Sequence, residues 1–194
     1  MKAGPRDREL IDALEALPVE EFQGTVWRVT GESRDPTIFR AGGNRWDDGS
    51  FEVLYTSLDR EGALAEIWFH LSRGQPVVPS KLRYVLHELE VRVPGVVDLT
   101  DWSLLGRFGV HKESYGRLPY VERESEYSAC QKIAEAIHFL GSDSPNEPSG
   151  LLVPNARRKS INLVIFGDYV SPDDIHHIRD HGIVDWGSIQ LQDR

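Results

Sequence analysis

Arg28, Arg45 and Arg157, with Tyr55, Glu66 and Asn155, are the side chains of this sequence whose types could together serve one reaction. Guanidinium groups can clamp a pyrophosphate bidentately, a Tyr ring can stack on a planar base, and a carboxylate can stabilise a cationic sugar centre or orient a hydroxyl. Those are the needs of a reaction at an N-ribosyl bond, whose transition state resembles the oxocarbenium ion of glycoside cleavage. A nicotinamide dinucleotide is the obvious substrate for such a set. Gly42 and Gly43 stand just before Arg45 in AGGNRWDDG, a stretch without helical or strand period that reads as a shaped loop whose backbone can approach a ligand. Ser57 shares one face of a predicted strand with Val53 and Tyr55. Singly, each residue has a plainer reading: Arg28 in a structural ion pair, Tyr55 in the core with its hydroxyl at the rim, Glu66 on solvated surface.

Other chemistries find no support. No GxGxxG and no GxxxxGK[ST] occurs, so the standard dinucleotide and nucleotide phosphate loops are absent, and no G-x-S-x-G elbow marks an α/β-hydrolase. The single Cys130 lies in a helical pattern and reads as a buried thiol rather than a nucleophile. His177 and His181 are spaced to share a face of a predicted terminal helix, but no HExxH and no third ligand accompany them, so they read as solvated histidines and no metal is called for.

The elements that must hold these side chains follow from periodicity. Leu10, Ile11, Leu14 and Leu17 form an amphipathic opening helix that ends before Pro18. TVWRVT (25–30) and FEVLYTS (51–57) are strands, and Asp59 caps a helix over Arg60–Leu71 that turns Leu64, Ile67, Trp68 and Leu71 to one stripe and leaves Glu66 off it. Leu82–Val93 is a long strand, Asp101 caps a turn or short helix, and Glu126–Leu140 is a second amphipathic helix closed by Gly141, followed by a polar loop to Ser149. GLLVP (150–154) and INLVIFG (161–167) are short apolar strands around the basic loop NARRKS. Ser171-Pro172-Asp173-Asp174 signals a last helix. Strands and helices without regular βαβ alternation predict an α+β fold with mixed or antiparallel sheets and flanking helices.

With 194 residues the chain fits one compact domain, read as a helical extension over 1–24, a body over 25–170 and a tail over 171–194 that packs on it. One cysteine excludes a disulfide framework, and no apolar run reaches the ~18 residues of a membrane span. The charged N-terminus has no signal-peptide centre, so the expected place is the cytoplasm, with no membrane association. The net charge of −9 (22 basic against 31 acidic residues) argues against a nucleic-acid backbone as partner, while local basic clusters can still hold a small polyanion.

At the residues named first, the sequence resembles the RES family, the toxin components of Xre-type antitoxin pairs. The resemblance runs from about Val26 to Asp168 and rests on VWRVT around Arg28, AGGNRWDDG around Arg45, VLYTSLDREGALAEI around Tyr55 and Glu66, and GLLVPNARRKSINLVIF around Asn155 and Arg157. It implies a fold similar to ADP-ribosyltransferase domains and an NAD-degrading activity, with water or inorganic phosphate as acceptor and no cofactor. Arg28 would then hold the dinucleotide phosphates or ribose, and Arg45 would add a phosphate contact or position the attacking group. Tyr55 would pack against nicotinamide, and Glu66 would stabilise the positive charge on its ribose. Gly43, Ser57, Asn155 and Arg157 would complete the substrate contacts. The chain departs from the pattern at Asn155, where the family usually has Ser, and at Asp47 and Asp48, where it more often has Asn and Pro; these acids would repel a phosphate nucleophile unless turned outward. The resemblance also implies an Xre-type antitoxin partner, and a homodimer is a default expectation. Two other readings are a non-catalytic NAD- or nucleotide-binding interaction protein and an ADP-ribosyltransferase acting on a macromolecule.

Overall fold

The computed structural model describes residues 7–72, 83–117, 123–142 and 147–187. Leu82, part of the polar loop after Gly141 and the last seven residues of the tail lie outside them. The described elements are α1 (Arg8–Glu15), β1 (Val19–Gly31), β2 (Val53–Ser57), α2 (Arg60–Leu71), β3 (Tyr84–Asp98), α3 (Trp102–Arg107), α4 (Arg123–Gly141), β4 (Gly150–Pro154), β5 (Ile161–Phe166) and β6 (Ile175–Ile183).

The two long strands β1 and β3 are the spine. They pair antiparallel from Val19 opposite Val97 to Gly31 opposite Tyr84, with a bulge between Glu20 and Phe22. β1 therefore starts earlier than the predicted TVWRVT, because β3 offers backbone partners back to Val19. β2 joins β1 where Trp27 faces Ser57, β5 lies between β2 and β4, and β4 runs parallel to the end of β3 at Val96–Asp98. The pairings β1–β2–β5–β4–β3 thus return to β1, and β6 continues the sheet along the first half of β3. This mixed sheet with flanking helices is the expected α+β architecture.

Asp7 caps α1 by accepting the N–H groups of Glu9 and Leu10, and the predicted apolar stripe then packs against the cluster built around α4, with Leu14 only 1% exposed. Burying a leucine in this way contributes about 1.5–3 kcal/mol. Asp59 caps α2 through the Gly62 N–H at 2.6 Å, and α2 sets Leu64, Ile67, Trp68 and Leu71 against Val29, Leu86 and Trp186. Gly62 is required at this first turn: a Cβ there would stand 2.4 Å from Ser57 Oγ and 2.7 Å from Ser160 Oγ. α2 can therefore lie close on β2, which brings Glu66 near Tyr55.

The predicted terminal helix is corrected. Ser171 does start a turn, accepting the Asp173 N–H, but only Pro172–Asp174 is helical, as one 3-10 turn, and the chain continues as β6. β6 takes up the open backbone groups of β3, which outweigh the local start signal. His177 and His181 consequently share no helix: His177 Nε2 lies 3.2 Å from His87 Nδ1, and His181 Nε2 lies 2.8 Å from Glu88 Oε2.

Candidate active site

β1, the loop before β2, β2 itself and α2 line a cavity of about 410 Å³, to which Tyr115 and Tyr127 also contribute. Of the sequence-predicted residues, Arg28, Arg45, Tyr55, Ser57 and Glu66 line it; Gly43, Asn155 and Arg157 do not.

β1 presents Arg28. Its Nη1 donates to the carbonyls of Pro36 (2.7 Å) and Ile38 (3.2 Å), so part of the guanidinium holds the segment that follows β1 in place. Burial and the charge of Arg40 pull its pKa down to about 10, against the opposing effect of Asp35. Arg34 and Arg40 line the same side.

Across the cavity, Arg45 is 8% exposed; its Nε donates to Glu126 Oε1 at 2.7 Å, and its guanidinium lies over the rings of Tyr115 (4.6 Å) and Tyr127 (5.1 Å). Burial alone would lower its pKa, but Tyr115, Glu66 and Glu126 outweigh it and the group is held above the ordinary arginine value. Its Nη2 is buried and has no hydrogen-bond partner among the described residues. Such an atom costs free energy unless something accepts from it.

Glu66 faces this wall from α2. Its Oε1 accepts from the Ala156 N–H at 3.0 Å and from Asn162 Nδ2 at 3.4 Å, and its Oε2 lies 3.7 Å from Arg157 Nε. The carboxylate is held from behind and its side chain remains 20% exposed. Arg157, whose Nη1 donates to the Gly116 carbonyl and whose guanidinium covers Phe69, is this backing rather than a cavity group.

Three expectations are corrected here. Asn155 is 1% exposed and its amide is used internally: Oδ1 accepts the N–H groups of Arg157 and Arg158, and Nδ2 donates to Asn162 Oδ1 at 2.9 Å and to the Gly62 carbonyl at 3.3 Å. It shapes the loop and orients Asn162, which bonds Glu66; an amide suits this because it donates and accepts at once. Gly43 has φ +65°, the left-handed region, but its N–H points to Asp47 Oδ1 at 2.5 Å and not to a ligand. Asp47 does not turn outward: it is fully buried and filled with donors, one of them the Tyr55 hydroxyl at 2.9 Å. Asp48 is exposed and accepts from Ser50. Burial first and Asp47 second push the Tyr55 pKa well above the usual phenol value, so its hydroxyl is a fixed donor. The Ser57 hydroxyl donates to the Ile161 carbonyl at 3.3 Å.

Arg34, Arg40, Tyr115, Tyr127, Glu126 and Asn162 were not found from sequence. Asn162 carries a signal, as the one polar residue in the apolar strand β5. Glu126 carries none, since it meets Arg45 from 81 positions away. Cys130 is buried, with its thiol pushed up to about 12 chiefly by burial, and among the described residues no group of three or more His, Cys, Asp or Glu could hold a metal.

Comparison with known proteins bears on the same residues. A chain of the crystal structure of the M. tuberculosis MbcT–MbcA toxin–antitoxin complex superposes with a TM-score of 0.75 at 22% identity, over 92% of this chain and 94% of that one. The two share a fold. No curated protein matches the chain. The RES domain model matches residues 25–186, from the strand that carries Arg28, through Glu66, to the segment after β6, and the chain belongs to the RES domain family.

Proposed function

We propose that the chain is a toxin-like NAD-degrading enzyme that cleaves the bond between nicotinamide and ribose, passing the ADP-ribosyl group to water or inorganic phosphate. The observation that carries this reading is one cavity lined at once by Arg28, Arg34 and Arg40, by the rings of Tyr55, Tyr115 and Tyr127, and by the Glu66 carboxylate. In the reaction the ribosyl C1′–N bond breaks and its electron pair goes to the pyridinium nitrogen, so nicotinamide leaves neutral and needs no strong general acid. C1′ then takes an oxygen from water, which gives up a proton, or from phosphate. Glu66 stabilises the positive charge on the ribose at the transition state, and its fixed hydrogen bonds from Ala156 and Asn162 mean that little reorganisation is required. The arginines of β1 and the segment after it hold the pyrophosphate. A protein antitoxin is the proposed partner; the likeness in fold to a chain of a toxin–antitoxin complex supports it.

The test is a time course of NAD with purified protein, with and without inorganic phosphate, following nicotinamide and the ribosyl product by chromatography and mass spectrometry. ADP-ribose identifies a glycohydrolase and a phosphorylated ADP-ribose a phosphorylase. Glu66→Gln, which keeps an oxygen for the Ala156 N–H, lowers kcat on the order of 100-fold or more. Absence of nicotinamide release while NAD still binds overturns the reading in favour of a non-catalytic binding protein.

A further inference from the structure

We infer that Asp47 is a positioning residue: its carboxylate fastens the glycine loop and, through it, sets the guanidinium of Arg45 at the cavity wall. Five donors converge on the two oxygens of this one buried group. Oδ1 accepts from the Gly42 N–H at 2.9 Å and the Gly43 N–H at 2.5 Å; Oδ2 accepts from the Asn44 N–H at 3.0 Å, Asn44 Nδ2 at 3.2 Å and the Tyr55 hydroxyl at 2.9 Å. No arginine, lysine or histidine forms an ion pair with it among the described residues. Its negative charge is spread over backbone N–H groups and a hydroxyl, an arrangement that fixes three consecutive residues at once.

Asp47 ties this loop to the sheet. Tyr55 belongs to β2, and its hydroxyl donates a hydrogen bond to Asp47 while accepting the Trp46 N–H at 2.9 Å. From the other side, Gln131 of α4 donates to the carbonyls of Asn44 (2.8 Å) and Asp47 (3.2 Å). Arg45 stands between Asn44 and Trp46, two residues whose backbones are fixed by these bonds. Its own side chain reaches Glu126 with Nε, and among the described residues nothing accepts from its buried Nη2. An unmatched donor is useful to a ligand only if the main chain behind it does not move, and Asp47 supplies that constraint. The role for Tyr55 changes accordingly: its ring lines the cavity, and its hydroxyl serves the loop.

This inference rests on the proposed function for its kinetic readout, and amide exchange tests it independently. In the wild type the Gly42, Gly43 and Asn44 amides are protected. Asp47→Asn has one acceptor oxygen in place of two, so the Asn44 amide exchanges at least about ten-fold faster while Gly42 and Gly43 stay protected; Asp47→Ala exposes all three. In turnover of NAD, Asp47→Ala lowers kcat/KM about 100-fold, as a displaced catalytic loop does, and Asp47→Asn recovers most of that loss. In an Arg45→Lys background, where Nη2 is gone, Asp47→Asn costs no more than about two-fold, because its effect runs through Arg45. If Asp47→Ala does not fold, Asp47→Asn and the Arg45→Lys cycle decide. Full protection of Asn44 in Asp47→Asn overturns the inference, and so do losses that multiply in the double variant. A wild type without turnover, in which Asp47→Asn still releases Asn44 and keeps Gly42 and Gly43 protected, overturns the proposed function and leaves Asp47 as the fastening of the loop.

Discussion

The two sides of the cavity are built on opposite electrostatic plans. On the Arg45 side the charges are matched: Arg45 meets Glu126, Glu66 is held by Ala156, Asn162 and Arg157, and Asp47 is filled by donors. On the β1 side Arg28, Arg34 and Arg40 face the cavity, Arg28 and Arg40 repel each other, and the acid that Arg28 feels is Asp35, whose carboxylate is engaged by Thr37. A chain of net charge −9 thus gathers three arginines along its cavity, only partly offset by Asp35. Matched charges hold a fixed geometry and suit the reacting bond; unmatched ones attract a polyanion and gain when it arrives. The contrast assigns chemistry to one wall of the proposed NAD site and binding to the other.

The largest effect that can break this contrast is on the matched side. Arg45→Met leaves Glu126 buried and without its cation, which costs on the order of 3–5 kcal/mol of stability, whereas Arg45→Met with Glu126→Met restores most of it without restoring turnover. Urea denaturation of the two variants checks this. Equal stability of Arg45→Met and wild type would mean that the pair is not the tightly matched element described here.

How legible all this was depends on range in sequence. α2 was read with its observed bounds because its cap, Asp59, and its apolar stripe are local. β4 and β5 were read from short apolar runs with turns on both sides. The tail was misread because the Ser171 signal is true for one turn only, and what decides β6 is the open edge of β3 about ninety residues earlier, as the His87–His177 contact shows. In the site, Arg28, Arg45, Tyr55, Ser57 and Glu66 were named from residue type and motif and do line one cavity. Asn155 and Gly43 were named for the same reasons and turn their polar groups inward, since spacing locates a residue but not the direction of its N–H or amide. The charge of Asp47 is visible in the sequence, whereas the donors that surround it are not.

A second, smaller effect sharpens the binding side. Arg40→Gln raises KM for NAD about ten-fold with kcat nearly unchanged, the signature of a contact made equally in ground and transition states. The same change weakens the dependence of KM on salt, since one screened charge is lost. It also acts on Arg28, whose pKa burial and the Arg40 charge pull down, so Arg40→Gln relieves that repulsion.

The smallest effect tests how far the positive wall reaches into the fold. His87 is buried opposite Arg28 in the β1–β3 pairing, with Nε2 at 3.1 Å from Thr30 Oγ1 and Nδ1 at 3.2 Å from His177. Burial, then His177 and Arg28, lower its pKa below the usual 6.5, while Asp180 and Asp35 oppose them. A histidine whose pKa is lower folded than unfolded takes up its proton more readily when unfolded, so its contribution to stability is complete above about pH 6.5 and declines as the pH falls through and below that value. Denaturation at pH 7.5 and pH 5.5 should therefore show a larger acid loss in wild type than in His87→Gln, whose amide can still bond Thr30. Arg28→Gln narrows that difference, because the Arg28 charge is one of the effects that lower the His87 pKa. Were Arg28→Gln without influence, the field of the binding wall would end at the cavity surface, and the β3–β6 histidines would answer only to each other and to their two acids.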